Sequence, residues 1–442
     1  MKPNFLALLP CVVFLIIFGL LNIIYGSDCI SRENFPIFAA FVALIVSIFT
    51  FKKGIPFNER IEVFIEGSSQ LMLVHTCYIF FLTTIFTAIL AETSCLGSMT
   101  NLILHVVSIN FILPTIFLMT SLFSYAVSMS IGTIALFMPI IIKISACTGL
   151  NLPMITATVV CGSIFGENLS TLANSMTTIQ NNNIDNVKNI FFNIKIIFPA
   201  FASTIIILIY QNSLITIPTY LDLLPAISPS DIIKALPYLF IFYLALTGLD
   251  FIIIMVLGIM MTLIIGLYFN HITDLTAINI IFDGFYHSKT MVNVFILILL
   301  LSGLSTIIIH NGGVEYLIEK LKHKIAHTNY NKFTLFCLAT FVNTLIAIII
   351  SGQFVKKTYL THDLIPEEAS CFVDIKPCVL QGMLPYIPQL ILASSMANIS
   401  FMSLLPHLYY QYLLIICLII TILWTTTNNN QSCKLQHSNG KK

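Results

Sequence analysis

Long uninterrupted apolar runs, each closed by a short polar stretch, recur along the whole chain. They fall at 5–25, 37–51, 71–91, 102–120, 124–147, 190–209, 232–246, 251–269, 292–309, 333–350 and 408–424. A helix needs about 20 mostly apolar residues to cross the hydrocarbon core, whereas strands of a membrane barrel alternate polar and apolar positions over about 10 residues. The runs do not alternate, so they predict helices. Two further segments, 152–178 and 371–396, mix apolar residues with glycines, prolines, carboxylates, amides and hydroxyls. They predict broken or re-entrant hairpins, which membrane proteins tolerate where the irregular backbone is covered by protein or lines a cavity. The expected fold is an all-α polytopic membrane protein with about 11–13 transmembrane segments. The first run follows only Lys2 and is long, with no small-residue cleavage site after it, so it reads as a span rather than a signal peptide.

A shift of 217 positions lays Phe64-Ile65-Glu66-Gly67 on Ile281-Phe282-Asp283-Gly284, each followed by an apolar span and a polar break at Glu92-Thr93 or His310-Asn311. This divides the chain into two repeats, 1–218 and 219–427, with a polar tail at 428–442. A Pro-bearing stretch around Pro218, Pro225 and Pro229 connects them. Charge placement predicts that the repeats are inverted. Lys52, Lys53 and Arg60 precede the first span and no Lys or Arg lies between 92 and 101. In the second copy only Lys289 precedes the span, and Lys320, Lys322, Lys324 and Lys332 follow it. Basic loops stay cytoplasmic, so equivalent spans are expected to cross in opposite directions.

Composition narrows the function classes. Of 442 residues 57% are hydrophobic and 9% charged, against roughly 25% charged in soluble domains. The net charge of +1 and the lack of a long basic tract exclude a nucleic-acid surface. Eleven cysteines are scattered without C-x-x-C pairs, the ten histidines show no H-E-x-x-H spacing, and the glycines form no G-x-x-x-x-G-K-[ST] loop. No nucleophile, base and orienting group assemble into an enzyme site.

The segment 161–180 reads CGSIFGENLSTLANSMTTIQ. It sets Glu167, six hydroxyls and the amides of Asn168 and Asn174 straight after an apolar run. An ionisable group at membrane depth is costly unless it faces a partner, a cavity or a permeating ion, so Glu167 is the leading candidate site. Gly162 and Gly166 are expected to loosen the helix and turn carbonyls toward the site. The competing structural role is a carboxylate at a helix start, with Ser170 and Thr171 satisfying backbone groups. Upstream, Ser124, Ser128, Ser130, Gly132 and Thr133 suit either close helix packing or site lining. In the second broken element, Pro377, Pro385 and Pro388 interrupt helical bonding near Asp374, Gln381 and Gln389, and the preceding span offers Asn343 and Thr344. Glu66 and Asp283 read as interfacial helix starts.

These motifs resemble the NhaC-type sodium/proton antiporter family over about 62–396. Ser128-Met129-Ser130-Ile131-Gly132-Thr133 is similar to the family's Thr/Ser-x-Ser-x-Gly-Thr run. Gly162 to Ser170 is similar to its Gly-x-x-Phe-Gly-Asp-x-x-Ser hairpin, with Glu167 standing where the family has Asp. Gly352-Gln353-Phe354, Pro366 and Asp374 resemble the lead into the second hairpin. The chain departs from the pattern at Thr171, Asn174, Ile375 and Ile387, where two acidic groups have become neutral.

The resemblance implies a secondary transporter with inverted repeats in a bacterial cytoplasmic membrane, exchanging sodium for protons. Glu167 is then the shared carboxylate, Ser170 and Asn174 are neutral ligands (Asn174 with Glu167 for sodium), Ser130 and Thr133 line the site, and Asn343, Thr344 and Gln381 form the facing wall. No cofactor beyond the transported sodium and protons is implied. The expected partners are membrane lipid, a small cation or organic solute, and a second copy in a homodimer. The alternative is sodium- or proton-coupled transport of a small organic acid or amino acid, which the lost acidic groups favour.

Overall fold

The structure is a computed structural model that describes residues 3–25, 34–51, 55–69, 71–179, 186–214, 227–269, 274–287, 289–313, 315–316, 319 and 387–421. Within them the chain forms α1 (Leu9–Tyr25, entered by a 3-10 turn Phe5–Leu8), α2 (Asn34–Phe49), α3 (Phe57–Ser68), α4 (Leu71–Glu92), α5 (Cys95–Val106), α6 (Ile112–Val127), α7 (Ser130–Thr148) and α8 (Leu152–Ile179). After these come α9 (Asn186–Ser213), α10 (Pro229–Leu246), α11 (Phe251–Phe269), α12 (Asp274–His287), α13 (Lys289–His310), α14 (Pro388–Met396), α15 (Phe401–Leu404) and α16 (Tyr409–Thr421). Among the described residues, 8 helices are long and apolar enough to cross a membrane. The protein is an all-α, multi-pass membrane protein. Large apolar side chains on α1 and α11 face outward, as Ile16, Ile23, Met260 and Ile264 do, which suits a lipid-facing surface.

Three local expectations are corrected. The run at 102–120 is not one span: α5 ends at Val106, Val107 is extended, and a 3-10 turn Ile109–Phe111 leads into α6. The run at 124–147 is cut at Ser128 and Met129, where α6 stops and α7 starts. The segment 152–178, expected to break, is one uninterrupted helix, α8. A sharp bend does occur in the second half, at the end of 371–396: α14, the last part of that segment, meets the Phe401–His407 segment at 101°. The span expected at 333–350 and most of the hairpin at 371–396 lie outside the described residues.

The two halves exchange helices. Phe57 and Asp274, which open α3 and α12, are 217 positions apart, and Leu71 and Lys289, which open α4 and α13, are 218 apart. Both spans are 22 residues long. Each is followed by a left-handed residue, Ser94 (φ 59°) and Gly312 (φ 82°), again 218 apart. α3 packs on α13 of the other half, and α12 packs on α4. α3 runs antiparallel to α13, because Val63 sits with Ile307, Gly67 against Ser302 and Thr306, and Ser68 donates to Leu299 O.

Among the described residues, α6 and α8 form the most extensive helix pair. They run parallel: Gly162 meets Phe117 and Thr120, Gly166 meets Ser121 and Tyr125, and Ser170 meets Ser128. α7 packs beside α8, and α14 from the second half packs against α7, α8 and α13. That is where the polar residues gather.

Candidate functional site

Geometry at the start of α7 builds the site. Ser128 holds a left-handed backbone (φ 59°) and Met129 is extended (φ −149°, ψ 116°), so the chain turns sharply between α6 and α7. A non-glycine residue in that region is strained by roughly 1–2 kcal/mol, and such residues gather at functional sites. The Met129 N–H closes back on Ser124 O at 3.3 Å, and the Thr133 hydroxyl donates to Met129 O at 2.7 Å. Ser130 is therefore the first helical residue of α7, where backbone N–H groups have no partner within the helix.

Glu167 faces this helix start from α8. Both the Ser130 hydroxyl and the Ser130 backbone N–H donate to its carboxylate. Its Oε2 atom is closed off from the surface although the residue as a whole is partly buried. A carboxylate at the positive end of a helix is stabilised by about 0.3–2 kcal/mol, and hydrogen bonds to a charged group add about 1.5–3 kcal/mol each. The expected helix-start role is thus half met: Glu167 lies deep in α8, and it serves the start of α7 instead.

Ser130 also joins the halves. The Gln389 Nε2 group, in the first turn of α14, donates to Ser130 Oγ at 3.1 Å, and Gln389 is buried at 4% exposure. Alongside, the buried Ser170 shares a short hydrogen bond with Ser128. Of the residues expected at the site, Ser130, Glu167 and Ser170 come together here, and Thr133 lies one turn along α7 and serves the backbone. The side chain of Asn174, and Asn343, Thr344 and Gln381 entirely, lie outside the described residues.

Gly162 and Gly166 have a different role from the one expected. A Cβ at Gly162 would lie 2.1 Å from Thr120 Oγ1, and one at Gly166 would lie 2.2 Å from Ser121 O. These glycines let α6 and α8 touch backbone to backbone, the small-xxx-small device of membrane helices. The contact is tied by Ser124 Oγ donating to Ser163 O at 2.6 Å. Close packing, rather than a loosened helix, brings Ser128 beside Ser170 and the start of α7 beside Glu167.

One neighbouring feature was not foreseen. Asn168 (2% exposed) donates through Nδ2 to the Tyr410 hydroxyl at 3.5 Å, and the Cys161 thiol donates to Gln411 Oε1 at 2.9 Å. Tyr410 also packs edge-on to Phe165, which stacks on Phe201 at 4.4 Å between ring centres. This aromatic wall joins α8, α9 and α16 through Phe165 and Asn168, which flank Glu167 in the sequence. Only the presence of polar residues in the apolar run 408–424 hinted at it.

No protein-family model matches the chain, and no curated protein is significantly similar to it. The arrangement can do one kind of chemistry plainly. A carboxylate within a helix long and apolar enough to cross a membrane, held by Ser130, can take up and release a proton or a small cation without covalent change.

Proposed function

We propose that the protein is a secondary transporter that exchanges sodium for protons across a bacterial cytoplasmic membrane. The observation that carries this reading is the Glu167 carboxylate within the span Leu152–Ser170, held by Ser130 at the start of α7 and linked through it to Gln389 of the second half. A single carboxylate that must be ionised to hold a cation, and that takes a proton otherwise, couples the two solutes by competition. Placement between elements of both halves suits alternating access, in which one half moves against the other around the site. Ser170 and Ser130 supply neutral oxygens, and a homodimer is the assembly expected of it.

A second reading has its own support. The starts of α7 and α14 converge at Ser130 and Gln389, and the positive ends of helices suit an anionic solute. On this reading the cargo is a small organic acid or amino acid, driven by sodium or protons.

Proteoliposomes separate the two. Sodium-induced proton efflux that is lost in Glu167→Gln supports exchange. Uptake of labelled carboxylates or amino acids, with no sodium-induced proton movement, supports the second reading and overturns the first.

A further inference from the structure

Gln389 carries an atom the site has not yet used. Its Nε2 is spent on Ser130, while its Oε1 is buried without a hydrogen-bond partner. A buried acceptor left unsatisfied costs about 1–3 kcal/mol, so a structure that keeps one on the amide that shares Ser130 with a carboxylate has a reason to. The amide orientation follows from proton counting. Ser130 has one hydroxyl proton, and it donates that proton to Glu167. Ser130 must then accept from Gln389, which turns the amide nitrogen toward Ser130 and the amide oxygen away from it. The hydroxyl thus fixes which end of the amide is turned away from Ser130 and left unpaired.

We infer that Gln389 Oε1 is a ligand for the sodium ion held at Glu167, so that the two halves of the chain each contribute an oxygen to one cation. This rests on the exchange reading above. One neutral amide oxygen together with one carboxylate would also set the selectivity. The described ligands carry a single negative charge, which suits a monovalent ion; divalent ions are held by sites richer in carboxylates. Because α14 carries this oxygen, cation binding draws α14 toward α7 and α8, giving the ion a direct grip on the second half.

Binding of sodium-22 to the purified full-length protein tests this, with Glu167→Gln, Gln389→Leu and Gln389→Glu beside the unaltered chain. Gln389→Leu is expected to weaken sodium binding about tenfold. Gln389→Glu, which keeps the side-chain shape and adds charge, is expected to make calcium a competitor for sodium-22 where it is not one in the unaltered protein. If the unaltered protein binds sodium, Glu167→Gln does not, and both Gln389 variants behave as the unaltered chain, this inference is overturned and the exchange reading stands. If the unaltered protein binds no sodium, both fall. Failure of Gln389→Leu to fold leaves the calcium competition of Gln389→Glu as the deciding result: competition supports the ligand role, and its absence overturns it.

Discussion

Gly67 and Gly284 hold the same place in the two halves and press against the same positions of the opposite half's long span. A Cβ at Gly67 would lie 2.7 Å from Thr306 Cβ and 2.9 Å from Ser302 O; one at Gly284 would lie 2.5 Å from Ala88 Cβ and 3.5 Å from Thr84 O. Thr84 and Ala88 in α4 correspond to Ser302 and Thr306 in α13 at the 218-residue offset. The two crossings are built alike at this offset, and they make each half depend on the other.

That dependence is measurable. Gly67→Val and Gly284→Val are each expected to lower stability by about 1–3 kcal/mol through overpacking, read as a lower thermal midpoint in detergent. Trimming the facing side chain is expected to return part of the loss: Thr306→Ala on Gly67→Ala, and Ala88→Gly on Gly284→Ala. Penalties that simply add, with no recovery, would show that the glycines do not meet those residues.

Gly166 offers a sharper test of how the site is assembled. Leucine there has no room against Ser121 O, Ser124 and the Tyr125 backbone, so α6 must move away from α8. The expected outcome is a folded but destabilised protein that loses transport, since Ser128 and Ser170 separate. Gly162→Ala, whose Cβ meets Thr120 Oγ1 and the Phe117 backbone, is expected to be milder when combined with Thr120→Ala. Full activity of Gly166→Leu in vesicles would contradict the packing role.

Ser130→Ala removes the hydroxyl from the Glu167 carboxylate and the acceptor from Gln389 while keeping the backbone N–H of α7 in place. On the exchange reading sodium needs the charged carboxylate, and a hydrogen bond to a charged group contributes about 1.5–3 kcal/mol. The half-saturating sodium concentration for exchange is therefore expected to rise by at least about tenfold, with the loss greatest in acidic medium where protons compete hardest. Ser130→Thr, which keeps the hydroxyl, is expected to retain most of the affinity. Equal sodium dependence in Ser130→Ala and the unaltered chain would remove Ser130 from the mechanism.

The hydrophobic pattern was a dependable guide to the spans and a poor one to their interruptions. Phe251–Phe269 begins and ends where the apolar run does, and Phe5–Tyr25 matches as well, because an unbroken apolar sequence alone defines those helices. Polar residues in 161–178 suggested a break, yet α8 continues through them. Gly162 and Gly166 fit against the α6 backbone and Ser170 bonds to Ser128, so these residues are used sideways without opening the helical ladder. The real break, at Ser128, is carried by a serine in a left-handed conformation that sequence does not announce. Glu167, Ser130 and Ser170 were legible as a cluster of polar residues in one half. Gln389 was seen only as part of a proline-rich stretch, because its contact with Ser130 spans 259 residues and Pro388 marks the start of α14 rather than an interruption.

Direction of crossing supplies the last prediction. Between α4 and α13, helix α5 has 12 residues and α12 has 14, about 18 Å and 21 Å long at 1.5 Å per residue. Neither reaches across a core of about 30 Å. The remaining helices are α6, lengthened by the 3-10 turn before it, and α7 to α11, and α6 and α8 run parallel as alternate crossings must. Counting one crossing for each, α13 enters after an even number of intervening spans and so runs opposite to α4. This agrees with the reversal of basic residues around the two copies. In a cysteine-free background, Ser94→Cys after α4 and Glu319→Cys after α13 are expected to react with a membrane-impermeant thiol reagent from opposite faces. Labelling of both from the same face would make the two halves parallel repeats, and alternating access by inversion would have to be abandoned even with Glu167 in its place.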